Sequence, residues 1–155
     1  MAVPGSGVNP QPEKRLEAQR PLNYVKRVVN VSVTNGIRVV VRCEFLADQS
    51  DARASRYVFA YTIRISNESE EPVQLRNRHW HILHGNGKEE QVHGPGVVGK
   101  QPVITPGTGF QYTSGCVLTT PHGTMRGSYE MVREDGTTFE AEIPAFSLAV
   151  PHVLN

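Results

Sequence analysis

Val28-Val29-Asn30-Val31-Ser32-Val33-Thr34-Asn35-Gly36-Ile37-Arg38-Val39-Val40-Val41-Arg42-Cys43-Glu44-Phe45 is the stretch that decides the fold. Asn-Gly supplies the two positive φ angles of a tight hairpin turn. After it, Ile37, Val39, Val41, Cys43 and Phe45 occupy alternate positions, so one face of an extended strand collects all five. A two-residue apolar period flanking a turn of this kind reads as paired strands rather than a helix.

The same rhythm continues outward. Residues 56–66 place Tyr57, Phe59, Tyr61, Ile63 and Ile65 on one side, and the polar run 67–72 turns the chain. In residues 73–85, Val73 and Leu75 have odd parity but Trp80 and Ile82 even parity. A single pleat buries both pairs only if a bulge falls between Arg76 and His79. Gly85-Asn86-Gly87 is a further turn, residues 88–92 a short polar edge strand, and residues 93–102 a loop. Thr105-Pro106-Gly107 turns into a strand over 110–118; Met125, Gly127, Tyr129 and Met131 share one face of the next, and Glu134-Asp135-Gly136 turns into the last. There Phe139, Ala141 and Ile143 change parity to Phe146, Leu148 and Val150 across Pro144. This predicts a kink or bulge at the proline and an edge or corner position for the strand.

About seven to nine short strands without helical crossovers predict an all-β antiparallel sandwich, with a closed barrel as the alternative. Trp80 is expected in the core beside Phe59 and Tyr61. Tyr129 is expected as a tyrosine corner, its hydroxyl on a backbone carbonyl.

The 155 residues suffice for one domain, read here as residues 28–155 behind a flexible, basic leader of residues 1–27. Lys14, Arg15, Arg20, Lys26 and Arg27 outnumber Glu13 and Glu17 in that leader, yet the whole chain carries only +1. No global field draws a nucleic acid or an anionic membrane. No run approaches the ~18 apolar residues of a membrane span, and no apolar signal core follows the first charges, so a cytoplasmic protein is expected. Two cysteines, both within strand-like runs, read as reduced thiols.

Several segments, taken in order, resemble the ApaG domain: residues 56–63, Pro72-Val73-Gln74-Leu75, Arg78-His79-Trp80, Gly94-Pro95-Gly96-Val97-Val98-Gly99, Tyr112-Thr113-Ser114-Gly115, residues 127–131 and residues 143–151. The resemblance implies an immunoglobulin-like or fibronectin type III-like sandwich. It also implies a binding role, since bacterial members of that family are linked to magnesium and cobalt homeostasis and eukaryotic members are treated as protein-interaction modules.

Gly94-x-Gly96-x-x-Gly99 spells the dinucleotide fingerprint, but Lys100-Gln101-Pro102 opens no helix and no acidic residue follows about 20 positions on. Without a helix, the three glycines and Lys100 can still form a nest of backbone N–H groups for a phosphate, as the resemblance also suggests. Otherwise the glycines permit a tight crossing between the two sheets. His79-Trp80-His81 puts two imidazoles on one face of a strand, a start for zinc, copper or nickel, but a site needs further ligands and no metal spacing supplies them. No metal centre and no cofactor are therefore expected. Ser114 lacks a nucleophile elbow, and Glu68, Glu70 and Glu71 sit in a solvated turn, so no catalytic residue is assigned.

The expected function is a non-catalytic binding module. It meets a protein partner through the 94–100 loop and the adjacent Arg78, His79 and Tyr112; weak pyrophosphate or nucleotide binding linked to divalent cations is the alternative. Exposed strand edges leave room for a homodimer.

Overall fold

The computed structural model describes residues 30–151; the leader expected over 1–27 lies outside them. Nine strands follow in order: β1 (Asn30–Thr34), β2 (Ile37–Phe45), β3 (Tyr57–Asn67), β4 (Val73–His84), β5 (Glu89–Pro95), β6 (Val103–Ile104), β7 (Gly109–Leu118), β8 (His122–Arg133) and β9 (Thr138–Ala149). All pair antiparallel. One sheet runs β1-β2-β3-β7 and the other β5-β4-β8-β9, with β6 on the first residues of β4. Asn35 and Gly36 have φ of 48° and 80°, the tight turn read from Asn-Gly.

The core lies between the sheets. Ile37, Val39 and Val41 from β2, Phe59, Tyr61, Ile63 and Ile65 from β3, and Met125, Tyr129 and Met131 from β8 are all buried. Each such aliphatic side chain contributes about 1.5–3 kcal/mol by leaving water. Trp80 is buried and edge-on to Tyr61 at 5.3 Å, as expected, but its second ring neighbour is Phe146 at 6.0 Å. Phe59 turns instead to Phe45.

Both parity conflicts resolve by bulges. The β4–β8 register shifts between Leu75 and Asn77, which leaves Arg76 as the extra residue at the start of the expected interval. The β8–β9 register shifts between Met125 and Gly127, where β9 carries Pro144 and Ala145 opposite one residue. Pro144 thus sits at a bulge on an edge strand, where its missing N–H forfeits no ladder bond.

That edge is covered. Side chains of the other sheet reach the β9 backbone: Asn30 donates to Ala145 O, Ser32 Oγ to Glu142 O at 2.5 Å, and Cys43 Sγ to Ser147 O at 3.3 Å, while Thr34 Oγ1 accepts from Glu142 N–H. Polar residues of β1 therefore face inward and Val31 and Val33 face out, which satisfies a sheet edge that would otherwise be open to another chain.

Two expectations change. His93, Gly94 and Pro95 belong to β5 rather than to a loop, because the β4–β5 pairing runs on to Asn77 opposite Pro95. Among the described residues the Tyr129 hydroxyl meets no backbone carbonyl; it bonds the Tyr112 hydroxyl of the facing sheet at 2.5 Å, so the tyrosine-corner reading is replaced by a bond across the core.

Candidate functional site

The β5 strand leaves β4 after Pro95, and the chain rejoins the same edge of β4 at β6. Residues 96–102 are therefore a detour along one sheet, past the Arg76 bulge. The expected crossing between sheets comes later, after β6.

The loop is stitched down along its length. Gly96 N–H donates to Arg76 O at 2.8 Å, Gln101 Nε2 to the same carbonyl at 2.9 Å, and Leu75 N–H to Pro102 O at 3.0 Å. Arg78 Nη1 donates to Pro95 O at 3.0 Å and Gly96 O at 2.9 Å. Its guanidinium fills the space a Cβ on Gly94 would need, only 2.9 Å away. Gly96 is equally constrained: its φ is 61°, and a Cβ would stand 2.1 Å from Lys100 O.

At the tip, Val97 N–H donates to Lys100 O at 2.8 Å and Lys100 N–H to Val97 O at 2.9 Å. Val97 is a buried anchor. Between them Val98 and Gly99 both take positive φ, 43° and 78°, the backbone of a type I′ turn. Gly99 suits that position. Val98, β-branched and 53% exposed, does not, since left-handed backbone costs an L-residue ~1–2 kcal/mol.

The amides of Gly96, Val97 and Lys100 are thus consumed within the protein. Of the residues expected to cradle an anion, Gly94 lies in a strand, Gly96 is buried in the loop base, and Gly99 and Lys100 are at the exposed tip.

Beside the loop base lies an open cavity of about 440 Å³ lined by Asn77, Arg78, His79, His93, Glu130 and Glu140, among others. Asn77 Nδ2 donates to Glu130 Oε1 at 2.7 Å, and Ser128 Oγ to Glu140 Oε1 at 2.9 Å. Its two carboxylates, Glu130 and Glu140, outnumber the Arg78 guanidinium, which keeps its charge while donating to the Pro95 and Gly96 carbonyls.

Arg78 and His79 line this cavity; Tyr112 does not. It is 7% exposed, and its hydroxyl is spent on Tyr129, because β7 pairs with β3 and turns its even positions inward. Burial, opposed by the Tyr129 bond, raises its pKa above the usual tyrosine range.

One constellation escapes the sequence reading. His84 is buried, with Nε2 2.5 Å from Glu90 Oε1 and Nδ1 3.2 Å from Thr119 N and 3.1 Å from Thr119 Oγ1. The residue types are those of a hydrolytic relay. A backbone N–H can only donate, however, so Nδ1 accepts from Thr119 and Nε2–H donates to Glu90. The base position is occupied, and the histidine acts as a clamp joining β4, β5 and the turn after β7. The Cys116 thiol, pushed up to about 11 first by burial and then by Glu90, stays protonated at neutral pH.

No helix among the described residues is long and apolar enough to cross a membrane. A family model for the ApaG domain matches residues 47–133. Protein ApaG of Methylobacterium sp. (strain 4-46) is 57% identical over 120 residues, covering 77% of this chain and 92% of that protein. Protein ApaG of Dechloromonas aromatica (strain RCB) is 55% identical over 127 residues, covering 81% of this chain and 100% of that protein. A crystal structure of a Bordetella pertussis protein designated ApaA superposes with a TM-score of 0.72 at 45% identity, covering 81% of this chain and 97% of that one.

Proposed function

We propose a binding role for this chain, which belongs to the ApaG domain family: it meets a protein partner through the Val98 tip and the acidic cavity beside it, in the cytoplasm and without chemistry of its own. The observation that carries this reading is Val98. An exposed valine held in left-handed backbone costs stability. The loop beneath it is fixed by Val97, Arg78 and Gln101, so the tip meets a partner already ordered. Glu130 and Glu140 at the cavity suit a partner that brings a basic or hydrogen-bond-donating side chain next to an apolar one.

Asparagine tolerates left-handed backbone where valine does not. Val98→Asn is therefore expected to raise stability by about 1 kcal/mol in urea unfolding while lowering partner capture. The binding readout is a photo-cross-linking residue placed at position 98 in cells, with position 87 in the β4–β5 turn as control. A discrete heteroprotein adduct at 98, absent at 87 and reduced by Glu130→Ala with Glu140→Ala, supports the reading. Equal labelling at both positions removes it. The anion alternative predicts instead that pyrophosphate moves the amide NMR signals of Val98 and Gly99, and that outcome would transfer the loop to a phosphate ligand.

A further inference from the structure

We propose that His79, His81 and His93 form a surface site for one divalent transition-metal ion, Zn2+ being the test case; this reading rests on no part of the loop argument above. His79 lies directly opposite His93 in the β4–β5 ladder, and His81 follows two residues along β4. All three side chains therefore leave the same, outward face of the sheet. The His79 and His93 rings stack at 3.8 Å between centroids, and those of His79 and His81 stand 4.4 Å apart.

Directly opposed strand residues have Cβ atoms only ~4.5–5.5 Å apart. Imidazole nitrogens bind Zn2+ at ~2.0–2.1 Å, so two on one ion lie roughly 3.3 Å from each other. A Cβ separation of that order lets nitrogens of two opposed rings reach one ion. Among the described residues, no three such side chains yet converge on a point an ion fills, because these rings lie face to face. Turning the exposed His93 ring and the half-buried His79 and His81 rings about χ1 and χ2 exchanges the stack for convergence.

Two neighbours bear on the exchange. Gln91 Oε1 lies 3.0 Å from His79 Nε2, so it can hold that N–H while Nδ1 turns to the ion, the usual outer partner of a ligating histidine. Arg126 lies opposite His81 and opposes a cation there. The fourth position opens to solvent, as in zinc sites that exchange a ligand.

The test is calorimetric titration of the full, chelator-treated chain with zinc chloride, with circular dichroism confirming that each variant folds. One ion per chain with micromolar affinity is expected. His79→Gln and His93→Gln should each weaken binding at least about tenfold, Arg126→Gln should tighten it roughly threefold, and His122→Gln should leave it unchanged. Copper loaded in place of zinc should show three nitrogen ligands by electron paramagnetic resonance. Absence of binding below millimolar zinc, binding that survives His79→Gln and His93→Gln, or copper held by a single nitrogen would each overturn the site.

Discussion

Gly127→Ala is expected to destabilise the protein by about 3 kcal/mol, the upper end of the overpacking range. Gly127 lies opposite Trp80 in the β4–β8 ladder and beside the β8–β9 bulge. A Cβ there would stand 2.1 Å from His79 O and 3.2 Å from its carbonyl carbon. The obstacle is backbone, not a flexible side-chain end, so relief requires β4 and β8 to part where Trp80 enters the core. Moving Trp80 disturbs its edge contacts with Tyr61 and Phe146, which makes the damage non-local. Urea unfolding of Gly127→Ala against Gly87→Ala is the measurement. An added Cβ at Gly87 meets nothing within 4 Å, although its φ of 91° adds local strain. A Gly127→Ala cost no greater than that at Gly87 would show that the two strands separate freely.

This glycine also marks where the sequence stops being readable. The alternation of Ile37, Val39 and Val41, and of Phe59, Tyr61, Ile63 and Ile65, reports directly which side of a strand is buried, because pleating is local. The conflict between Leu75 and Trp80, and that across Pro144, forced bulges that the structure places at Arg76 and at Pro144. Register across a turn was also within reach. A hairpin centred on Asn86 pairs positions equally distant from it, which sets His79 opposite His93. The glycines and proline after Val92 read as a loop, yet the strand runs on to Pro95. What periodicity cannot supply is how one sheet sits over the other. Tyr112 and Tyr129 each follow the inward parity of their strands, but their meeting depends on the offset of two sheets. For His84 that limit applies to Thr119, which comes from the distant turn after β7, whereas Glu90 lies across the same hairpin.

The tyrosine pair yields a prediction whose pattern matters more than its size. Tyr129 is fully buried and Tyr112 nearly so, and their hydroxyls are 2.5 Å apart between the sheets. Burial, with the neighbouring Tyr112 next, drives the Tyr129 pKa well above the usual tyrosine range, so both groups stay neutral through the physiological range. Tyr129→Phe removes one hydroxyl and strands the other where water does not reach, which should cost about 2 kcal/mol. Tyr112→Phe should cost a similar amount or somewhat more, because the hydroxyl it strands belongs to Tyr129, the more deeply buried of the two. Removing both hydroxyls leaves no orphan, because phenylalanine keeps the rings that fill the core. The double variant should therefore be less damaged than the two singles together, with a coupling of about 1–2 kcal/mol in a urea double-mutant cycle. Additive losses would mean that each hydroxyl acts through a separate partner, and that the bond between the sheets contributes nothing.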